Sequence, residues 1–285
     1  MLKWLKTVNV FSFLLIGFVK EEGKVRFRPC IDIHNGKVKQ IVGGSLRDEG
    51  DRARENFVSS QDAAFYAKLY KKDGLEGGHI ILLNPASSPY YQETRRQALC
   101  ALGAAPGSFQ VGGGINGENA GDFLEAGASH VIVTSYVFSD GRIQYEHLET
   151  LRKKVGKERL VLDLSCRERD GKFYIVTDRW QKFTEVLLNS KTMDQLSGWC
   201  SEFLVHAADV EGQSRGVQRR VASLLGEWGK LPVTYAGGVG SYEDLALLRK
   251  LGRGRVDVTV GSALDLFGGP LSYRKILKLC KNDEK

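Results

Sequence analysis

The sequence predicts an α/β fold, a single (βα)8 TIM barrel built from two duplicated half-barrels. Three observations lead there. From Arg26 onward, eight short apolar, β-rich runs alternate with helix-like stretches. The chain has 285 residues, which suits a fold that commonly needs about 250. Three separate features also recur at nearly one offset: Asp32 to Asp163 spans 131 residues, Gly114 to Gly238 spans 124, and Ser135 to Ser262 spans 127.

The candidate strands, in order, are 26–33, 79–83, 109–111, 131–134, 160–164, 203–206, 233–235 and 256–260. They are continuously apolar rather than alternating, as expected of strands covered on both faces by helices. Amphipathic segments such as 62–72, 119–126, 144–154 and 242–251 supply the cover. Eight strand–helix units point to a closed barrel rather than an open sheet. The repeated offset is close to half the barrel. Gln110-Val-Gly-Gly-Gly-Ile115 leads through a helix to Val131-Ile-Val-Thr-Ser135, and Tyr235-Ala-Gly-Gly-Val239 leads through another to Val258-Thr-Val-Gly-Ser262.

The barrel is expected to occupy residues 26–280, with residues 1–25 outside it. Val8 to Val19 is an apolar run preceded by Lys3 and Lys6. It is too short to span a bilayer comfortably. Lys20, Glu21 and Glu22 follow where a signal peptide needs small residues. The segment reads as a targeting remnant or a misassigned start, and no membrane association is expected of the mature protein.

A charged content of 26% and a hydrophobic content of 42% are ordinary for a soluble globular chain. The formal charge of +7 favours an anionic ligand. No Lys/Arg block or basic stripe interleaved with aromatics indicates nucleic acid. Cys30, Cys100, Cys166, Cys200 and Cys280 are odd in number and far apart, which argues against a disulfide framework and for a reducing compartment. None has a histidine at metal-ligand spacing, so no metal site is expected.

Active sites of such barrels lie at the C-terminal ends of the strands. Both glycine clusters fall there, where glycine lets backbone N–H groups face an anion. Gly113 and Gly114 with Thr134 and Ser135 form one expected phosphate cradle; Gly237 and Gly238 with Gly261 and Ser262 form the other. A single Gly-Gly would read as a tight turn. Two copies, each followed one strand later by a small hydroxyl residue, imply an elongated substrate with a phosphate at each end. Asp32 and Asp163 end strands one and five, on opposite sides of an eight-stranded ring. Either alone reads as a turn-forming or ion-paired aspartate. Together they suit a reaction that removes a proton at one atom and delivers one at another, with unlike environments separating acid from base.

Two further residues are candidate substrate contacts. Trp180 lies in a hydrophilic loop after strand five, where an indole either covers a planar ligand or anchors the loop. His206 ends strand six and either donates to substrate or is a satisfied core histidine. His34 reads as shaping the turn after Asp32, and His79, His130 and His147 carry no assigned role.

These residues resemble a family. Pro29-Cys-Ile-Asp-Ile-His-Asn-Gly36, Val38-Lys-Gln-Ile-Val-Gly-Gly44, Gln110–Ile115, Leu162-Asp-Leu-Ser165 and Val258–Ala263 are similar to the HisA-type isomerases of histidine biosynthesis. Val176-Thr-Asp-Arg-Trp-Gln181 and Val205-His-Ala-Ala-Asp-Val-Glu-Gly212 resemble the eukaryotic, plant-like branch. The resemblance covers about Val25 to Leu277. It implies an Amadori rearrangement in which the phosphoribosylformimino-aminoimidazole carboxamide ribotide aminoaldose becomes an aminoketose, without a cofactor. It also implies Asp163 as general acid, Asp32 handling the proton at the neighbouring carbon, a bisphosphorylated substrate, a monomer and a plastid location, with the cytoplasm as the alternative. Asn116 stands where bacterial members carry arginine, and His206 near where they carry threonine. The sister cyclase of the same pathway uses a lysine eight residues past its first aspartate. Gln40 occupies that position here, favouring the isomerase over both the cyclase and a non-catalytic phosphoribosyl-binding barrel.

Overall fold

The computed structural model describes residues 25–47 and 49–281. The expected extension over residues 1–25 therefore lies, but for Val25, outside the described residues. Among these residues, eight parallel strands run in sequence order: β1 (Cys30–His34), β4 (Gly78–Leu82), β5 (Phe109–Gly112), β6 (His130–Val133), β7 (Leu160–Asp163), β11 (Glu202–His206), β12 (Val233–Ala236) and β13 (Val256–Thr259). Each overlaps an expected strand. The segment before β1 meets β13: Phe27 bridges Val258, Arg28 N donates to the Val258 carbonyl at 2.8 Å, and Val258 N to that of Arg26 at 3.0 Å. The sheet thus curls until the segment leading into its first strand hydrogen-bonds to its last.

Among the described residues, eight α-helices clothe it, one after each parallel strand or its excursion: α1 (Ala63–Lys72), α2 (Tyr91–Ala104), α3 (Ala120–Glu125), α4 (Tyr145–Val155), α5 (Ser190–Leu196), α6 (Arg219–Trp228), α7 (Tyr242–Leu251) and α8 (Tyr273–Lys281). Local chemistry sets several of their ends. The Asp62 side chain caps α1 by accepting from Phe65 N, and Ser241 with Asp244 forms a reciprocal capping box on α7. Gly229 ends α6 in the left-handed conformation.

Two excursions interrupt the alternation. After β1 the chain forms β2 (Lys37–Ile41), antiparallel to β1, and β3 (Glu55–Val58), antiparallel to β2. After β7 it forms a separate three-stranded antiparallel sheet, β8 (Cys166–Arg169), β9 (Lys172–Thr177) and β10 (Lys182–Leu187). Within that excursion, Trp180 sits at the tight turn between β9 and β10.

Inside the curl, Ile132, Val161 and Leu204 form an apolar layer with Ile81 against it. Toward the N-terminal ends of the strands lies a buried polar net. Arg28 Nε donates to Asp257 Oδ2 at 2.9 Å, Gln110 Nε2 to Glu202 Oε2 at 3.1 Å, and Thr234 Oγ1 to Glu202 Oε1 at 3.0 Å. Buried charges need such partners. This net stabilises the end of the sheet remote from the two aspartates.

Candidate active site

Parallel strands that all point one way leave one sheet end ringed by loops, and the candidate residues gather there. A cavity of about 260 Å³ is lined by Asp32, Asp163, Gly113, Gly114, Thr134, Ser135, Trp180 and His206, among others. A neighbouring cavity of about 30 Å³ is lined by Gly237, Gly238, Gly261 and Ser262. Asp32, His206 and Glu211 line both, so the two glycine turns communicate through them. His34 is buried and lines neither cavity.

The glycine turns have the same local geometry. Gly113 and Gly114 have φ of 98° and 71°, and Gly237 and Gly238 have 117° and 77°, a region closed to most side chains. The second turn is more tightly packed than an open cradle, because the loop after β11 lies over it. Gly216 N donates to the Gly238 carbonyl at 2.9 Å, and a Cβ on Gly238 would lie 2.1 Å from the Gly216 carbonyl oxygen. Gly238→Ala is expected to lose about 2–3 kcal/mol, from backbone strain and overpacking together, as a lower urea midpoint. A midpoint equal to wild type would mean that the loop does not rest there.

The two aspartates sit in different electrostatic settings. Asp163 is buried, and its Oδ1 accepts from Ser165 N at 2.8 Å and Ser165 Oγ at 2.7 Å. His206 Nδ1 lies 3.5 Å from the same oxygen. Burial alone would raise the Asp163 pKa, but the His206 charge and these hydrogen bonds outweigh it and hold the carboxyl below its ordinary value. The partner responds oppositely. Burial lowers His206, yet Asp163 and the nearby Glu211 and Asp32 raise it to about 9. Asp163 and His206 are therefore an ion pair near neutral pH.

Asp32 is half-buried. Burial and the Glu211 charge raise it to about 7, against the lowering effects of His206, Cys30 and Gln40. Its one direct polar contact in the first excursion is Gln40, whose Nε2 lies 3.4 Å from Oδ2. Glu211 is itself raised by burial, and its Oε2 is buried without a partner.

The turn that carries Trp180 is strained and latched. Asp178, Arg179 and Trp180 have φ of 50°, 56° and 66°, and left-handed non-glycine residues cost on the order of 1–3 kcal/mol each. Asp178 N donates to Ser135 Oγ at 3.0 Å, Trp180 Nε1 to Ser165 Oγ at 3.0 Å, and Lys182 pairs with Asp178 at 2.8 Å. The indole also packs against His206, with ring centroids 5.5 Å apart. The latch joins the turn to one hydroxyl of the first glycine site and to the hydroxyl that holds Asp163.

Sequence reasoning did not single out Glu211, Ser165 or His79. Glu211-Gly212 reads locally as a turn after β11, and Ser165 as one more polar residue past an apolar run. No spacing rule brings His79 to this end, although Cys30 and His79 face one another in register on β1 and β4. Cys30, Asp32 and His79 place donor atoms within 4.8 Å of one another.

Fold and site together define an α/β protein with a charged cavity and a smaller neighbouring one at the C-terminal ends of its parallel strands. A family model described as "Histidine biosynthesis protein" matches residues 26–269, and the chain belongs to that family. It is 54% identical over 257 residues to a Medicago truncatula protein named 1-(5-phosphoribosyl)-5-((5-phosphoribosylamino)methylideneamino) imidazole-4-carboxamide isomerase HISN3, chloroplastic, covering 89% of this chain and 81% of that one. Proteins named as the same isomerase match at 47% identity in Yarrowia lipolytica, over 86% of this chain and 93% of the relative. In Saccharomyces cerevisiae the figures are 44%, 91% and 98%.

Proposed function

We propose that the protein catalyses the aminoaldose–aminoketose isomerisation for which these relatives are named, in histidine biosynthesis. The observation that supports this reading is the placing of Asp32 and Asp163 on one cavity with the Gly113–Gly114 turn, beside a smaller cavity that carries the Gly237–Gly238 turn and shares Asp32. A bisphosphorylated substrate laid across the two has a phosphate at Gly113, Gly114, Thr134 and Ser135 and another at Gly237, Gly238, Gly261 and Ser262. Its reacting ribose then lies between the aspartates. The enzyme is read as a closed (βα)8 barrel of two duplicated halves over residues 26–280. Support comes from the Phe27–Val258 bridge, the matching glycine conformations and the antiparallel excursion that follows the first strand of each half.

Chemically, ring opening needs a proton on the ring oxygen. The ketose then forms when a proton leaves the neighbouring carbon and one is delivered to the former aldehyde carbon. No electrons enter or leave overall, so the residues need only move protons. Asp163 acts as the acid together with His206, because the pair holds one proton between them. Asp32, raised to about 7, is a stronger base than an ordinary carboxylate and is still ionised in part at neutral pH. Trp180 stacks on the ligand, and its turn excludes water.

Gln40 separates this reading from the sister cyclase, since the amide beside Asp32 carries no charge. The deciding experiment is turnover of the aminoaldose ribotide by protein treated with chelator, without nucleotide or ammonia. Turnover supports the isomerase; tight binding without turnover supports a non-catalytic ribotide-binding protein instead. Trp180→Phe, which removes the donor to Ser165, is expected to raise KM about tenfold, the size of one lost hydrogen bond near a charged group. An unchanged KM would remove Trp180 from the substrate site.

The plastid is the proposed location, on the strength of the relative named chloroplastic. Import of the full-length chain into isolated chloroplasts tests it. Action as a monomer, a further part of the proposal, is tested by light scattering. Among the described residues, no helix is long and apolar enough to cross a membrane.

A further inference from the structure

We propose that Cys30, Asp32 and His79 form a binding site for a single divalent cation of the zinc class, and that an ion held there blocks the substrate site.

Cys30 and Asp32 are two apart on β1, so their side chains leave the same face of the strand. His79 sits on the adjacent parallel strand, directly paired with Cys30. All three line the small cavity, and a thiol sulfur, a carboxylate oxygen and an imidazole nitrogen lie within 4.8 Å of one another. Tetrahedral bonds of about 2.0–2.3 Å set ligand atoms roughly 3.3–3.7 Å apart. The trio therefore closes by about 1 Å around an ion, which rotamer adjustment supplies.

A second observation points to a missing partner. His79 is only 2% exposed and approaches His206 edge-to-face, with ring centroids 5.7 Å apart. On the same cavity, Glu211 Oε2 is buried without a partner. Buried polar groups in folded proteins are nearly all satisfied. The Glu211 oxygen on this cavity is an unsatisfied acceptor of the right chemistry for a cation. Its lining carries two carboxylates against the single imidazolium of His206. Thiol, imidazole and carboxylate together favour zinc-class ions over calcium or magnesium, which take oxygen ligands.

Binding releases the Cys30 thiol proton to solvent and ties up the Asp32 carboxylate. Gly237, Gly238, Gly261 and Ser262 line the same cavity, so cation and substrate exclude one another. The inhibitory consequence rests on the proposed isomerase activity; the site itself does not.

Cobalt(II) tests it in chelator-treated full-length protein, because a thiolate–cobalt bond gives a near-ultraviolet charge-transfer band. One cobalt per chain with that band is expected, bleached by zinc. Cys30→Ala should abolish the band, and His79→Gln should weaken binding by about tenfold or more, as losses around metal sites commonly do. Cys100→Ala and Cys280→Ala, at the exposed and partly exposed thiols, should keep it. In the isomerase assay, zinc should inhibit wild type competitively with substrate and inhibit Cys30→Ala at least tenfold less. No band in wild type, or equal zinc inhibition of wild type and Cys30→Ala, overturns the site. Urea curves for each variant separate loss of binding from loss of fold. If the assay shows no turnover, the functional reading fails while the cobalt band still decides the cation site.

Discussion

Asp163→Asn is expected to lower kcat by roughly 10³-fold, within the range that general acid–base groups supply, while the protein stays folded. Asparagine keeps the shape and can still accept from Ser165 N, which donates to Oδ1 at 2.8 Å in wild type. It cannot carry the charge that raises His206 to about 9. The variant therefore loses both the carboxyl and the proton stored beside it, and its His206 titrates at lower pH. Asp32→Asn should lose a comparable factor by a different route, since it removes a base and leaves the Asp163–His206 pair intact. Steady-state rates with circular dichroism on the same samples check both. Near-wild-type turnover in both folded variants would end the assignment.

Stability and rate should depend on pH through His206 in a specified direction. Its pKa is raised from 6.5 to about 9 in the folded protein, so its contribution is fully present below the ordinary histidine value. It declines as pH climbs and is gone above about 9. A rise of that size corresponds to about 3 kcal/mol. Asp163 moves the other way, so its contribution is lost only as pH falls through its depressed value. These are two views of one interaction and are not added. His206→Gln should therefore be about 3 kcal/mol less stable than wild type near pH 6. The gap should shrink steadily toward pH 9.5. Chelator-treated wild type should lose kcat over the same alkaline span as the stored proton departs. A stability gap independent of pH would show that His206 acts by packing alone.

How much of this was legible in the sequence differs by element. The eight parallel strands were, because burial on both faces demands unbroken apolar runs such as Leu160-Val-Leu of β7 and Phe203-Leu-Val of β11. The helix over residues 242–251 was legible to its ends, since Ser241 and Asp244 mark its start locally. β8, β9 and β10 were not. β8 and β10 are short, charged and partly exposed, so nothing in Lys182-Phe-Thr-Glu-Val-Leu187 distinguishes a strand from a loop. Trp180 was expected at the ligand, but the strained turn that carries it depends on Ser135 and Ser165, neither adjacent in sequence.

The sequence by itself determined the alternation of strands and helices, the repeated offset and the two aspartates at matching strand ends. Those follow from local burial patterns and from positions along one chain. Only the tertiary structure decided how the aspartates differ. Asp163 is paired with His206 and doubly bonded by Ser165, whereas Asp32 faces Glu211 and is raised to about 7. Coulomb energies depend on distance in space and on exclusion of water, and Asp163, His206, Asp32 and Glu211 approach one another only when the curled sheet brings β1, β7 and β11 around one cavity.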